Sequence, residues 1–174
     1  KVYEEIVSNA DYLPTLMELA GSKPPEGIDG KSFLPLLDGK DYSAREHVFC
    51  EMTWHDRYNP MRAVRTRDYK YIRNFGDRPF VYLPVDIYKG SAGEAVRGEY
   101  YSKRRPPEEL YYLANDPLES NNVVNDSGRK DTLDRLRKTL DEWLRSTDDP
   151  ILKGDVPPTD KQRIRDADNT FLNG

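Results

Sequence analysis

Between residues 8 and 21 the apolar positions recur as a helix requires. In Ser8-Asn9-Ala10-Asp11-Tyr12-Leu13-Pro14-Thr15-Leu16-Met17-Glu18-Leu19-Ala20-Gly21 they fall at 13, 16, 17, 19 and 20, one broad stripe. Asn9 or Asp11 can cap its start, Pro14 fits only in a first turn, and Gly21 suits the left-handed position that ends a helix. From Pro24 to Gly39 the pattern is loop punctuation around an apolar plug of Phe33, Leu34, Leu36 and Leu37, which needs a neighbouring layer.

The period then changes. His47 to Thr53 is β-rich, and Met61 to Thr66 and Tyr69 to Asn74 are two further strands, with Arg67-Asp68 as a two-residue hairpin connection. Glu109 to Leu113 supplies a fourth strand, followed by a turn at Asn115-Asp116-Pro117-Leu118-Glu119. Residues 76 to 105 mix Gly, Pro, Tyr and charge with neither period, so they read as a long excursion of the kind that is functional or mobile. Asp131 to Ser146 is the clearest helix: Leu133, Leu136, Leu140, Trp143 and Leu144 make one face, which should cover one side of the sheet. The expected fold class is α+β, a small four-stranded antiparallel sheet packed by a C-terminal helix. Residues 1–40 form a leading helix and loop, 41–150 the sheet domain, and 151–174 an arm that wraps another surface or stays disordered.

Composition narrows the partners. The charged fraction, 33%, nearly equals the hydrophobic 36%, and 13 Pro and 12 Tyr add loop and surface, so the core is modest. The net charge of −4 comes from well-mixed acids and bases that leave no basic stripe for nucleic acid, and no apolar run is long enough for a membrane helix. The single Cys50 excludes an internal disulfide, and its place in Val48-Phe49-Cys50 predicts a buried structural thiol. Lys1 to Val7 read like the middle of an element, which suggests a fragment.

Chemistry is sparse. There is no Gly-rich phosphate loop, no Cys or His cluster with metal spacing and no Gly-x-Ser-x-Gly elbow. Of the two histidines, His47 reads as a structural or surface residue. His55 has more company: Glu51, Thr53, Trp54, Asp56 and Arg57 surround it, and Arg62 follows. Two readings stand side by side. The loop can hold a sugar carrying an anionic group, by aromatic stacking and charge-assisted bonds, or it is a polar hairpin whose Trp covers the core. Arg62, Arg65, Arg67 and Arg73 read mostly as a solvated sheet face, Lys103-Arg104-Arg105 as a loop, and the tyrosine pairs 100–101 and 111–112 as sheet-edge packing.

The order of landmarks adds a resemblance. Asp11 to Gly21, then Gly27-Ile28-Asp29-Gly30-Lys31-Ser32-Phe33-Leu34-Pro35-Leu36-Leu37, resembles the helix and loop that lead into the C-terminal region of sulfatases. Met61 to Asn74 and Glu109-Leu110-Tyr111-Tyr112-Leu113-Ala114-Asn115-Asp116-Pro117-Leu118-Glu119-Ser120-Asn121-Asn122 resemble that family's small-sheet strands and its Glu-Leu-Tyr-Asp-Leu segment, with Tyr112 where the family has Asp. Thr53-Trp54-His55-Asp56 before Pro60-Met61-Arg62, and the Pro-rich stretch from Pro79 to Pro84, are most similar to heparan N-sulfatases.

The resemblance implies the C-terminal subdomain of an α/β, alkaline phosphatase-like enzyme. Residues 1–40 would be the tail of its large N-terminal domain, and the parent would be periplasmic, secreted or lysosomal. It implies a formylglycine nucleophile made within Cys/Ser-x-Pro-x-Arg and a calcium ion held by Asp and Asn. Cys50 lacks that context, being followed by Glu51-Met52-Thr53-Trp54, so formylglycine and calcium are expected in the N-terminal domain, with no catalytic or metal residue in this chain. What remains here is a substrate-pocket wall, with His55, Trp54, Asp56 and Arg62 as substrate-binding residues. The implied partners are a sulfated saccharide and the N-terminal catalytic domain; the chain alone is expected to be inactive, and to self-associate or be disordered at its Leu13-Leu16-Leu19 face and its Phe33 to Leu37 plug. Two alternatives are a non-catalytic module for an acidic saccharide or protein, and a phosphatase or phosphodiesterase relative on the same superfold.

Overall fold

The computed structural model describes residues 1–159; the expected arm over 151–174 falls, from residue 160 on, outside the described residues. The chain divides into two compact units, Lys1–Val48 with Arg65–Asp68, and Phe49–Val64 with the residues from Tyr69 onward.

In the first unit a 3-10 turn, Asn9–Asp11, leads into α1 (Tyr12–Leu19). Ser8 caps the 3-10 turn, and Asp11 stands at the N-cap position of α1 without a side-chain cap bond of its own. The Ser8 Oγ accepts from the Ala10 N–H at 3.3 Å, and the Asp11 carboxylate accepts in return from the Ser8 N–H at 2.8 Å, a reciprocal capping box. Asp11 is wholly buried and also accepts from the Lys31 N–H at 2.7 Å and from the Arg45 guanidinium. Burial by itself would raise its pKa, but these donors outweigh burial and hold the carboxyl below the ordinary aspartate range. Thr15 continues the anchor, donating to Asp11 O at 2.6 Å and accepting from the Phe33 N–H at 3.0 Å. Gly21, at φ +73°, ends the helix in the left-handed region. The plug forms α2 (Leu34–Leu37). The stripe on α1 is not its buried side: Leu13, Leu16 and Leu19 are 55%, 60% and 67% exposed, while Pro14 and Thr15 are buried. Hydrogen bonds from Asp11 and Thr15 set the helix's inner side, and the apolar stripe falls elsewhere.

In the second unit, apart from the strand-end residues Val48 and Arg65, β1 (Val48–Trp54), β2 (Tyr58–Arg65), β3 (Tyr69–Asn74) and β4 (Glu108–Tyr112) form one antiparallel sheet in the order β1-β2-β3-β4. Tyr71 pairs with Leu110 and Arg73 with Glu108. The link from β2 to β3 is residues 66–68, one residue longer than the sequence pattern suggests. Alternation along each strand creates two sheet faces.

On one face Val64, Tyr71 and Leu110 pack against Leu133, Leu136, Leu140 and Leu144 of a long helix, and Phe49 stacks on Trp143 with ring centroids 4.6 Å apart. That helix, Lys130–Ser146, is α5 once the two helices below are counted. Two arginines expected on a solvated face point under it instead: Arg73 meets Asp141 at 2.5 Å, and Arg62 meets Asp149. The alternation was right, but carboxylates wait on the covered side. Cys50 also departs from expectation. It is exposed, because β1 is an edge strand whose central residues have no cover.

The other face is covered by the excursion, which is not structureless. It contains α3 (Val85–Lys89) and α4 (Ser91–Ser102). Two glycines, two serines and only one branched aliphatic residue, Val96, in α4 hide its period from pattern reading. The ends of the excursion are tied, with the Arg105 N–H on Arg78 O at 3.0 Å and the Phe80 N–H on Lys103 O at 2.9 Å. Gly93 lets the two helices meet, since a Cβ there would stand 2.0 Å from Ile87 O. Gly93→Ala is therefore expected to destabilise the second unit by about 1–3 kcal/mol. Urea unfolding with an unchanged midpoint would refute the close approach.

Candidate functional site

The β1–β2 hairpin closes over His55, Asp56 and Arg57, with the His55 N–H on Arg57 O at 3.2 Å. Asp56 turns into the excursion: its carboxylate accepts from the Tyr82 hydroxyl, from the Val85 N–H at 2.6 Å and, more weakly, from His55 Nδ1 at 3.4 Å. Burial would raise the Asp56 pKa, but those hydrogen bonds hold it below the ordinary range, while burial and the neighbouring carboxylate push the Tyr82 phenol far up. Asp56 is thus a clamp between hairpin and excursion, and it fixes the backbone that carries His55. The His55 side chain itself is 59% exposed.

Trp54 donates its indole N–H to Val156 O at 3.0 Å and lies 5.0 Å from the Tyr58 ring. Tyr58 in turn accepts from the Val156 N–H at 2.9 Å, so the aromatic pair and the segment at 155–156 hold one another. Arg62 is 1% exposed, and all its N–H groups are engaged: Nε and Nη2 on Asp149, Nη1 on Met52 O and Met61 O, and Nη2 also on Thr53 Oγ1. The structure therefore gathers Trp54, His55 and Asp56 on one hairpin, and sets Arg62 behind it, toward the helix-covered face.

Two hollows open beside the hairpin. One, of about 450 Å³, lies on the excursion side of the sheet, lined by residues that include Met61, Ile72, Phe80, Tyr82 and Arg105. The other, of about 540 Å³, lies along Thr53, Trp54, Val156 and Pro157. Met52 and His55 belong to both. Apolar walls with a few fixed polar groups are what a small-ligand pocket requires.

Arg105 escaped pattern reading. Its Nη1 donates to Asn59 Oδ1 at 3.1 Å and its Nε to Phe80 O at 3.4 Å. Its position follows from pairing with Arg78 across the excursion, and no local periodicity reports such a contact. Glu109 and Asn74, by contrast, are readable as the alternate-face residues of β4 and β3; they bond each other at 2.6 Å.

The donors among the described residues do not fit the formylglycine and calcium that the resemblance implies. Cys50 runs into Glu51-Met52-Thr53-Trp54, and among the described residues no group of three or more His, Cys, Asp or Glu is placed to hold a metal ion.

Comparison with known proteins supplies the family. A family model described as N-sulphoglucosamine sulphohydrolase, C-terminal, matches residues 1–88. An ulvan-active sulfatase of Formosa agariphila is 37% identical over 149 residues, covering 83% of this chain and 30% of that protein. The human N-sulphoglucosamine sulphohydrolase is 28% identical over 175 residues, covering 86% and 34%. The solved structure of a 2-O GAG sulfatase superposes with a TM-score of 0.65 at 24% identity, covering 94% of this chain and 30% of that one. The chain thus spans about 30% of the length of the first of these curated relatives. Its four-stranded antiparallel sheet with packed helices is the architecture of the C-terminal subdomain in sulfatase structures. With half of its sequence matched, the chain belongs to the sulfatases, in the family of N-sulphoglucosamine sulphohydrolase C-terminal regions.

Proposed function

We propose that the full-length protein hydrolyses a sulfate ester or sulfamate on a sugar, and that this chain forms one wall of the pocket that holds the sugar. The observation that carries the reading is the placement of His55, an exposed imidazole on a clamped hairpin, at the lip common to two hollows. Family membership supports the reaction class.

In this reading the nucleophile and a calcium ion that polarises the sulfate belong to sequence outside this chain. The chain's own residues bind and orient. Trp54, which lines the second hollow and is backed by Tyr58, offers a ring for stacking on a pyranose. His55 offers a ring N–H to a sulfate or hydroxyl oxygen, and Asp56 keeps the hairpin in place by holding Tyr82 and Val85. Arg62 serves the pocket from behind, by joining Met52 and Met61 to Asp149.

The test is sulfate release from sulfated saccharides by the full-length protein, with His55→Ala beside the wild type. The variant is expected to lose about tenfold in kcat/KM, the order of one charge-assisted hydrogen bond. This chain alone is expected to release none. A full-length protein that frees no sulfate from any ester or sulfamate would end the proposal.

A further inference from the structure

The hollow on the excursion side of the sheet contains an arginine that makes no ion pair among the described residues. Met52, Met61, Ile72, Phe80, Val81 and Pro84 make its apolar walls, and Arg105 enters between them. The guanidinium is fixed rather than mobile, because Asn59, which takes its Nη1, is only 2% exposed and cannot swing aside.

Its acceptors, Asn59 Oδ1 and Phe80 O, are both neutral. Arg62, Arg73 and Arg137 each meet a carboxylate at 2.6 Å or less. Arg105 has none within ion-pair distance among the described residues, and its Nη2 has no acceptor there. Desolvation accordingly lowers its pKa, whereas pairing raises those of Arg73 and Arg137. One carboxylate, Glu109, does line the same hollow, but its oxygens already accept from Asn74 Nδ2 and the Tyr111 hydroxyl. A carboxylate oxygen can accept more than one hydrogen bond, so each keeps capacity for a hydroxyl donor.

We propose that Arg105 is a specificity-determining residue that binds a second anionic substituent of the saccharide, a sulfate or carboxylate other than the group hydrolysed, while Glu109 accepts from a sugar hydroxyl. A guanidinium with free N–H groups in an apolar wall matches a planar carboxylate or a sulfate edge. The volume of about 450 Å³ suits a sugar unit and lies inside the range of small-ligand pockets. The inference rests on the reading of the substrate as a sulfated sugar.

The experiment compares two substrates of the full-length protein: 4-nitrophenyl sulfate, which carries only the scissile group, and a sulfated disaccharide that also carries a carboxylate. For Arg105→Gln, kcat/KM on the disaccharide should fall at least about tenfold further than on the aryl sulfate, through KM. Equal losses on both substrates, or none on either, would overturn the assignment. Arg105→Lys keeps the charge but not the fork, and should show the same selective KM rise at about three- to tenfold. An unchanged KM there overturns the assignment even if Arg105→Gln fails to fold. Calorimetric binding of the disaccharide separates this inference from the hydrolytic one. Arg105-dependent binding without any sulfate release would remove the hydrolase reading and leave the subsite standing; turnover with binding indifferent to Arg105 would do the reverse.

Discussion

Arg62→Ala is expected to destabilise the sheet unit by about 3–5 kcal/mol, the cost of orphaning one member of a buried ion pair. Arg62 and Asp149 are 1% and 4% exposed and meet through two hydrogen bonds, Nε to Oδ2 at 2.6 Å and Nη2 to Oδ1 at 3.0 Å. The remaining N–H groups hold β1 through Met52 O and Thr53 Oγ1, and Asp149 also caps a short turn by accepting from the Ile151 N–H at 2.9 Å. Removing the guanidinium leaves a buried carboxylate with only the Ile151 N–H, and takes one donor each from Met52 O, Met61 O and Thr53 Oγ1. Urea unfolding should show the midpoint falling while the slope holds. A loss below about 1 kcal/mol would mean the pair is solvated in solution, as surface pairs are.

The same pair has a pH signature. Burial would raise the Asp149 pKa, but Arg62 and the Ile151 N–H outweigh it, so the folded value lies below the ordinary 3.8. A carboxyl with a depressed folded pKa contributes stability that is whole above the unfolded value and lost as pH falls through the folded one. The stability gap between wild type and Asp149→Asn should therefore stay level from about pH 7 to 5 and close only below about pH 4.

Leu140→Ala is expected to cost about 2–5 kcal/mol. Leu140 is fully buried at the centre of α5, within the cluster that includes Leu136, Leu144, Val64, Tyr71 and Leu110. Helix and sheet are both fixed by further bonds, Arg73 to Asp141 and Arg137 to Glu108, so the site cannot collapse freely around the missing side chain. A cost under about 1 kcal/mol would show that α5 does not pack on the sheet as described.

Periodicity carried most of the fold. The four strands and α5 are visible because their apolar residues repeat at two or at three to four positions, and a buried face on each follows directly. What lies opposite that face was not visible. Arg62 alternates onto the helix side as expected of a strand residue, but its partner Asp149 is 87 positions away and leaves no local trace. The helix α3 escapes pattern reading because five residues are too few to show a period, and α4 because glycine and serine dilute any stripe; the exposure of Cys50 is hidden because an apolar run does not reveal that its strand is an edge. The candidate site divides the same way. Trp54, His55 and Asp56 come together because they are consecutive, whereas Tyr82 and Arg105 join them only through the return of the excursion.

The pocket wall is tested most directly by a crystal structure of the full-length protein holding a sulfated saccharide. A sugar or sulfate oxygen is expected within about 3.2 Å of the His55 ring, with the saccharide reaching toward Arg105. A saccharide seated beyond both residues, with His55 still facing solvent, would contradict it.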